Sequence, residues 1–444
     1  MDELNKEQYR ASRADNGVSL VLAGAGTGKT KTLVEKVRNV MDCPGMGPDH
    51  ILVLTFSRRA AEELRDRIGS GCGGGRGIHA GTFHSFCFDL LRRHASAFTA
   101  AAGFSRFPAV VDDEGKKAMI GELIRRDLGR FLGMPAGVVY DLVTGHGSLE
   151  KWKRKKLDDS GLGAELTLLS TEYRLVKQKR NVIDYDDMMG CAIRLLETDG
   201  AVRAEVLDRC RYVFVDEFQD VSDDNMRLLK LLLPERDRNL FAVGDDWQSI
   251  YGFRGASVEH IIKMKRHFPE TVVHRLTVNY RSRKEIVALA CGFIRNNRHR
   301  TRKSLRASRG KGGIVRSYTV GSLEEEADII RAVIAGHDPD RCLAVLFRNN
   351  WQGRYLKERL GGEEIPGVTF MTMHASKGLE FDRVVIAGVC DSILPDGDND
   401  IEEERRLLFV ACTRARDELH VIVHVNDEGE PSRFGRELGV VKKY

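Results

Sequence analysis

The sequence predicts an α/β fold in which helices flank parallel sheets. Short apolar strands recur along the chain, and turn residues and a helical pattern follow them, which is typical of parallel sheets. A phosphate-binding loop follows the first strand, and a long helical block precedes the third. The predicted strands are residues 19–23, 51–55, 212–215, 240–243, 343–347, 368–372 and 383–387.

Length and composition indicate a soluble globular chain of several domains. The 444 residues suffice for about two to four domains of ordinary size. A hydrophobic fraction of 42% with 30% charged residues excludes dominant disorder. The net charge of +5 permits a nucleic-acid partner without requiring one. No apolar run is long enough for a membrane helix, and the start shows no signal pattern, so we expect a cytoplasmic protein without membrane partners.

The nine cysteines are scattered along the chain. They form none of the close pairs that zinc or iron–sulfur sites use. We therefore expect reduced core thiols.

The helical block runs between Phe88 and Asp208 and reads as an insertion in an α/β domain. It carries basic clusters at residues 151–156 and 177–180. Trp152, inside the first cluster, is either a DNA contact or part of a solvated helix face. A second basic segment, the connector 295–311, contains eight Lys and Arg residues and is either a solvated loop or a phosphate contact.

Residues 23–30, Ala-Gly-Ala-Gly-Thr-Gly-Lys-Thr, form a phosphate-binding loop between a strand and a helix. The glycines let backbone N–H groups surround phosphates. Lys29 reaches the β- and γ-phosphates, and the Thr30 hydroxyl can bind Mg²⁺. The loop predicts ATP and Mg²⁺ as cofactors, although Ala23 stands where the general pattern has glycine.

Two carboxylates, Asp216 and Glu217, end the apolar strand 212–215. Asp216 is placed to hold Mg²⁺, and Glu217 to orient or deprotonate the attacking water. Such a strand end is often a plain surface turn. The phosphate-binding loop upstream favours the catalytic interpretation.

The order of motifs resembles the UvrD/Rep/PcrA family of superfamily 1 DNA helicases, in which Ala23 is the usual residue. The resemblance covers almost the whole chain. It implies two RecA-like domains with P-loop folds. The matching segments are residues 4–8, 54–64, 81–85, 216–220, 243–256, 279–282, 373–381, 404–407, 413–415 and 431–434.

The resemblance implies roles at the nucleotide. Gln8 would read adenine, Tyr280 would stack on it, and Glu380 would lie near the sugar. Gln248 would sense the γ-phosphate, while Arg281 and Arg414 would act as arginine fingers. The remaining implied nucleotide-binding residues are Gly24, Gly26, Thr27, Gly28, Lys29, Thr30 and Lys31.

The resemblance also implies a surface for single-stranded DNA. Tyr251 and Phe253 would stack on bases; as alternatives they are core aromatics. His84 and His374 are either DNA contacts or ordinary packed histidines. The full implied set is Phe56, Thr82, His84, Tyr251, Phe253, Arg254 and His374.

The implied domains are a first motor domain (residues 1–95 and 203–273), a helical insertion (96–202) and a second motor domain (274–444). The family's second insertion, domain 2B, is missing between residues 351 and 367. The implied function is ATP-dependent movement on single-stranded DNA, 3′ to 5′, by a monomer that also meets single-strand/duplex junctions, in DNA repair, replication, or mobile-element and defence processes. The alternative is a DNA-stimulated ATPase subunit that senses DNA for a partner nuclease; a loading protein is a further expected partner.

Overall fold

The computed structural model describes residues 3–69, 78–126, 163–361, 365–397 and 399–439. The glycine-rich loop 71–77 and the basic cluster 151–156 with Trp152 lie outside the described residues. In chain order the described strands are β1 (Val18–Ala23), β2 (Ile51–Thr55), β3 (His79–Thr82), β4 (Ala109–Val110), β5 (Val182–Ile183), β6 (Tyr212–Val215), β7 (Leu240–Gly244), β8 (Val272–Leu276), β9 (Val278–Asn279), β10 (Arg306–Ala307), β11 (Ile314–Val320), β12 (Leu343–Phe347), β13 (Val368–Thr372), β14 (Phe381–Val389) and β15 (Ala415–His424).

The described α-helices alternate with these strands, which confirms the predicted α/β class. They are α1 (Lys6–Ser12), α2 (Lys29–Met41), α3 (Arg58–Gly69), α4 (Phe83–Arg93), α5 (Ala95–Ala102), α6 (Asp113–Arg126), α7 (Gly163–Arg180), α8 (Tyr185–Thr198), α9 (Gly200–Arg209), α10 (Asp223–Leu231), α11 (Val258–Ile262), α12 (Met264–His267), α13 (Lys284–Ile294), α14 (Leu323–Ala335), α15 (Asn350–Arg359), α16 (Ile401–Cys412) and α17 (Arg433–Leu438). None of them is both long and apolar enough to cross a membrane.

The first sheet has six parallel strands in the order β3-β2-β6-β7-β1-β8. Successive side chains of a strand point to opposite faces. In β1, Leu20 and Leu22 therefore pack on one face with α4, α8 and α10. Val21 and Ala23 pack on the other face with α2 and α3. The parallel order brings the carboxyl ends of β1, β6 and β7 to one edge, where the phosphate-binding loop begins.

The predicted helical block contributes to this first core. Phe98 of α5 and Ile193 of α8 are buried in the same apolar cluster as Leu20. Lys177 of α7 is also buried, between Asp184 and Asp187, at 2.9 and 2.6 Å. The block therefore packs continuously onto the first sheet through α5 and α8.

The second sheet has five parallel strands in the order β11-β15-β14-β12-β13. Leu346 of β12 faces a core that includes α13 and α16. Val345, its neighbour, faces the core beneath α14 and α15. Of the elements described between β12 and β13, α15 is the only helix.

Two expectations from the sequence need correction. The cysteines are not all core thiols, since Cys43 and Cys342 are exposed and Cys191 and Cys390 are half-buried. The connector 295–311 is not simply a solvated loop. Its Lys303 is buried, and β10 within it pairs with β9 in parallel.

Candidate nucleotide and nucleic-acid site

The phosphate-binding loop joins β1 to the first turn of α2. Gly28 has a φ of 81°, in the left-handed region that favours glycine. A Cβ there would also meet the Gln8 side chain. The helix begins at Lys29, and backbone N–H groups at the start of a helix can bind an anion.

The start of the chain closes one side of this loop. Asn5 and Gln8 form a reciprocal capping box at the start of α1. The Gln8 amide also donates to the Thr27 carbonyl at 3.0 Å. The Asn5 amide donates to the Tyr280 hydroxyl at 2.7 Å, and Lys31 donates to the Glu3 carbonyl at 3.4 Å. The structure thus brings Gln8, Tyr280 and Lys31 to one side of the loop.

The two carboxylates after β6 face the loop. Thr30 Oγ1 donates to Asp216 Oδ2 at 3.3 Å. Glu217 has a φ of 53°, an uncommon left-handed conformation for a residue with a side chain. Its carboxylate accepts from the Gln219 amide at 2.5 Å. This turn separates the two side chains, so that Asp216 approaches Thr30 while Glu217 approaches Gln219.

The two carboxylates differ in their electrostatics. Burial, together with the charge of Glu217, raises the pKa of Asp216 to about 7. Burial also acts to raise the pKa of Glu217, but Lys29 and Lys377 outweigh it, and that pKa lies below its ordinary value. Glu217 therefore stays ionised at neutral pH, as a general base must.

The donors near the loop fit Mg²⁺. The Thr30 hydroxyl and the Asp216 carboxylate are the hard oxygen ligands that this ion prefers. Among the described residues, no group of three or more His, Cys, Asp or Glu side chains could hold a metal ion by itself. A magnesium ion here would share the two protein oxygens with phosphate oxygens, as nucleotide sites commonly do.

Two arginines approach the loop from the second half of the chain. Arg281 Nε contacts Glu380 Oε2 at 2.7 Å. Arg414 is buried, and its Nη2 donates to Gln248 Oε1 at 3.0 Å. Glu380, which the resemblance assigns to the nucleotide sugar, is the ion-pair partner of Arg281 in this structure.

Gln248 lies between the arginine and an aspartate. Its Nε2 donates to Asp245 Oδ2 at 2.6 Å while its Oε1 accepts from Arg414. Its backbone carbonyl accepts from the Lys377 ammonium at 3.1 Å, and that ammonium also contacts Asp220 at 2.5 Å. Gln248 therefore connects the strand end after β7 to the second half of the chain.

Residues 251–254, which we call the aromatic loop, follow Gln248 and cluster with the ring of His374. Tyr251 and Phe253 lie with ring centroids 6.0 Å apart, and Phe253 meets His374 edge-on at 5.6 Å. Arg254 lies over both aromatic rings. Phe253 is 39% exposed and Tyr251 is half-buried, so Phe253 is not a core aromatic. Burial and nearby cations lower the pKa of His374 to about 4, which keeps its ring neutral at physiological pH.

The other predicted DNA residues line a separate cavity of about 660 Å³. Phe56, Thr82 and His84 all face it, and His84 is exposed rather than packed in a core. The structure thus gathers the seven predicted DNA residues into two groups, one at this cavity and one at the aromatic loop.

Sequence reasoning missed several residues at these sites. Tyr185, which is 40% exposed, lines the cavity from the start of α8. Glu403 accepts from the Gly252 N–H at 2.9 Å, inside the aromatic loop. Lys303 contacts the phosphate-binding loop from the connector. Only tertiary structure brings these residues to the sites; the one sequence signal was that Lys303 lies within the basic connector.

Comparison with known proteins finds family models that match both halves of the chain. Residues 4–269 match the family model described as UvrD/REP helicase N-terminal domain. Residues 274–370 and 362–426 match the UvrD-like helicase C-terminal domain. The two models together cover both sheets, apart from the first two residues of β8, and both arginines.

Individual relatives agree. The chain is 29% identical over 379 residues to "ATP-dependent DNA helicase PcrA" of Staphylococcus aureus, covering 82% of this chain and 50% of that protein. It is 31% identical over 378 residues to "ATP-dependent DNA helicase Rep" of Escherichia coli, covering 82% of this chain and 54% of that protein. The chain spans about half the length of the curated relatives it matches. With both family models matched along its length, this chain belongs to the UvrD/REP helicase family.

Proposed function

We propose that this chain is an ATP-driven motor that moves along single-stranded DNA. The relatives are named ATP-dependent DNA helicases, and the nucleotide and aromatic groups described above supply the parts that such a motor needs. The proposed domains are those of the sequence analysis, with the two sheets as the two motor domains. The direction 3′ to 5′ is proposed from the family resemblance.

The observation that carries the proposal is the short segment from Asp245 to Phe253. In its first part, Gln248 is held by Asp245 and accepts from Arg414, which directly precedes β15 of the second sheet. Its last part presents the exposed ring of Phe253. A change at the nucleotide therefore has a route of only a few residues to a surface that can stack on bases. Such coupling is what a translocating motor requires.

The chemistry proposed is hydrolysis of ATP. Mg²⁺, when bound by Thr30 and Asp216, would neutralise charge on the β- and γ-phosphates. Lys29 would bind the same phosphates, and Glu217 would accept a proton from the attacking water. Arg281 and Arg414 would stabilise the charge of the transferring phosphoryl group.

The DNA contact proposed is independent of base sequence. Stacking on Phe253 and Tyr251 tolerates any base, since every base has a π-face. The cavity at Phe56, Thr82 and His84 would hold the strand on the first sheet. Arg254 adds a positive charge beside the stacking rings.

ATP hydrolysis measured with and without single-stranded DNA tests the proposal. We expect DNA to stimulate turnover in the wild-type chain and Lys29→Ala to abolish it. Arg227→Ala, which removes only a surface ion pair with Glu197, is the matched control and should keep full turnover. Near wild-type stimulation in Lys29→Ala would show that the assigned site is wrong.

One observation favours a second candidate, the DNA-sensing ATPase subunit. Between β12 and β13, where the relatives' family carries domain 2B, α15 is the only helix among the described residues. A motor without that domain has less surface for duplex DNA. A strand-displacement assay with the isolated chain separates the candidates: ATP-dependent strand displacement supports the helicase, whereas DNA-stimulated hydrolysis with little or no strand displacement supports the sensor.

A further inference from the structure

A buried lysine of the connector contacts two segments of the nucleotide site at once. The Lys303 ammonium donates to the Ala23 carbonyl at 3.0 Å, where the phosphate-binding loop begins. It contacts Asp245 Oδ1 at 2.5 Å and Asp246 Oδ1 at 2.6 Å. It also lies 4.8 Å from the centroid of the Trp247 ring. No other part of the predicted mechanism uses this residue.

The Lys303 ammonium lies among buried carboxylates, where water cannot take its place. The side chain of Lys303 is 1% exposed, and those of Asp245 and Asp246 are fully buried. Buried carboxylates need partners, because water cannot solvate them. Thr301 satisfies Asp246 through its N–H and its hydroxyl, both at 2.6 Å. Among the described residues, Lys303 is the only cation that forms an ion pair with Asp245.

Asp245 in turn fixes the orientation of Gln248. An amide side chain presents a donor at one end and an acceptor at the other. Asp245 Oδ2 accepts from Gln248 Nε2 at 2.6 Å, which leaves Oε1 to face Arg414. If Asp245 lost its fixed place or its charge, the amide could turn, and Nε2 would then oppose the guanidinium.

The connector and the residues at the end of β9 also support the phosphate-binding loop. Leu305 lies against Gly24, so closely that a Cβ on that glycine would collide with it. Asn279 Nδ2 donates to the Ala25 carbonyl at 2.7 Å, and the Tyr280 N–H donates to the Gly26 carbonyl at 2.8 Å. Lys303 thus belongs to a row of contacts on the carbonyl side of the loop, opposite the N–H groups that would face phosphate.

Resting on the proposed function, we propose that Lys303 is a positioning residue for phosphoryl transfer. Its ammonium holds Asp245 against the phosphate-binding loop, and Asp245 orients Gln248 so that Arg414 meets the transferring group. Lys303 itself touches no phosphate. Its loss acts on the transition state rather than on the bound ground state.

The affinity ratio for ADP with aluminium fluoride over ADP alone tests this without turnover, because aluminium fluoride mimics the transferring phosphoryl group. In Lys303→Met we expect the ratio to fall about 10- to 100-fold, the scale of a misplaced catalytic group. The affinity for ADP alone should stay within about threefold of wild type, and DNA-stimulated kcat should fall in parallel with the ratio. An unchanged ratio in a folded variant would overturn the proposal.

A double-variant cycle tests the route through Gln248. Lys303→Met should lower the ratio no further once Gln248→Ala is present, because both changes remove the same interaction. Two losses that multiply would show that Lys303 does not act through Gln248. Should wild type bind the analogue but fail to hydrolyse ATP with DNA, the motor function would be refuted, while the ratio would still decide the role of Lys303.

Two further variants separate positioning from folding. Lys36 is a matched control, since it is also buried, donates to a carbonyl (Ala14) and lies 5.6 Å from the centroid of a ring, that of Tyr212. Lys36→Met can lower the melting temperature but should keep the ratio. Where Lys303→Met does not fold, Lys303→Met with Asp246→Asn restores the local charge balance and should still show the low ratio; a wild-type ratio there would overturn the proposal.

Discussion

Adjacent carboxylates at the end of β6 show how one residue can differ from the next in chemistry. The left-handed backbone of Glu217 turns its side chain away from Asp216 and toward Gln219. Lys29 and Lys377 keep the pKa of Glu217 low, whereas burial and Glu217 itself raise the pKa of Asp216. Glu217 is therefore an ionised base, whereas Asp216 is a carboxyl group whose ionised form a bound cation would favour.

We expect Glu217→Gln to lower the DNA-stimulated kcat by about 10²-fold or more, because the amide cannot accept a proton from water. Nucleotide affinity should change little, since the Thr30 and Lys29 side chains remain. Steady-state hydrolysis and nucleotide titration measure the two effects. Glu197→Gln, at a surface ion pair, is the control that should keep full turnover. A Glu217→Gln variant with wild-type kcat would remove Glu217 from the mechanism.

Phe253→Ala should weaken single-stranded DNA binding by about 5- to 150-fold, the equivalent of one lost base stack. ATP affinity should remain at the wild-type value, because the change removes a stacking ring and no phosphate ligand. Fluorescence anisotropy with a labelled oligonucleotide measures the first effect. Tyr355→Ala removes a half-buried ring that hydrogen-bonds to Glu324, and it serves as the control. Equal DNA affinity in both variants would contradict the assigned role.

At the level of residues, local motifs predicted one part of the site, whereas the residues that only tertiary contacts bring to the site could not be predicted. The loop residues 23–30 and the Asp216–Glu217 pair follow from strand-turn-helix patterns, and the structure brings them together. Lys303 and Glu403 could not be assigned in this way, because their partners lie about 57 and 151 residues away in the chain. Whether one lysine of a basic connector is buried depends on tertiary packing, which the amino-acid composition does not reveal.

At the level of elements, α16 organises three loops through consecutive glutamates. Glu402 accepts from the Arg298 N–H at 2.6 Å, Glu403 from the Gly252 N–H at 2.9 Å, and Glu404 from Arg348 at 3.0 Å. These contacts tie the connector, the aromatic loop and the end of β12 to one helix. A shift of α16 relative to the first sheet would therefore move the aromatic loop.

Gly252→Ala should disturb the aromatic loop, because a Cβ at this position would meet the Glu403 carboxylate. We expect weaker DNA binding and lower DNA stimulation of ATP turnover, with basal turnover unchanged. Gly292→Ala is the matched control, since a Cβ at this position near the C-terminal end of α13 meets no atom within 4 Å. It should raise helix stability by about 1 kcal/mol and leave DNA binding alone. Equal DNA affinity in the two variants would mean that the loop tolerates the clash.

The strands that the sequence predicts are mostly apolar segments. All seven predicted segments fall within observed strands, and β1, β2, β6, β7 and β12 are buried at every residue. The sequence missed the longer strands β3, β8, β11 and β15 and the two-residue strands β4, β5, β9 and β10. β8 and β11 are sheet edges with exposed residues, and β15 begins with the charged residues 416–418, so their patterns lack a continuous apolar run.

At the level of the whole molecule, we expect DNA binding that depends on salt and not on sequence. Phosphate contacts release counterions, and stacking carries no base code. Affinity for single-stranded DNA should fall steeply between about 50 and 200 mM salt. Titrations with homopolymers of different bases at each salt concentration measure both effects. A salt-independent affinity, or a strong preference for one sequence, would contradict a motor that walks on the backbone.

Movement without domain 2B, the domain that we propose this chain lacks, is the property of the whole chain that most needs a test. Translocation needs two domains that alternately grip the strand, and the nucleotide and aromatic groups lie on and between the two sheets. Unwinding also needs a surface that holds or destabilises the duplex. We therefore expect movement on single strands by a monomer, with short-range unwinding unless a partner or a basic segment supplies that surface.

Streptavidin displacement measures the direction of this movement. A 3′-to-5′ motor removes streptavidin from the 5′ end of a biotinylated strand and leaves it on the 3′ end, so the opposite result would overturn the direction. Neutralising residues 151–156, or the exposed Arg298, Arg302 and Arg306 of the connector, should shorten unwinding but preserve streptavidin displacement, because these changes remove duplex contacts and leave the stacking rings in place. Efficient unaided unwinding of long duplexes by wild type would show that this chain does not need domain 2B to hold or destabilise the duplex.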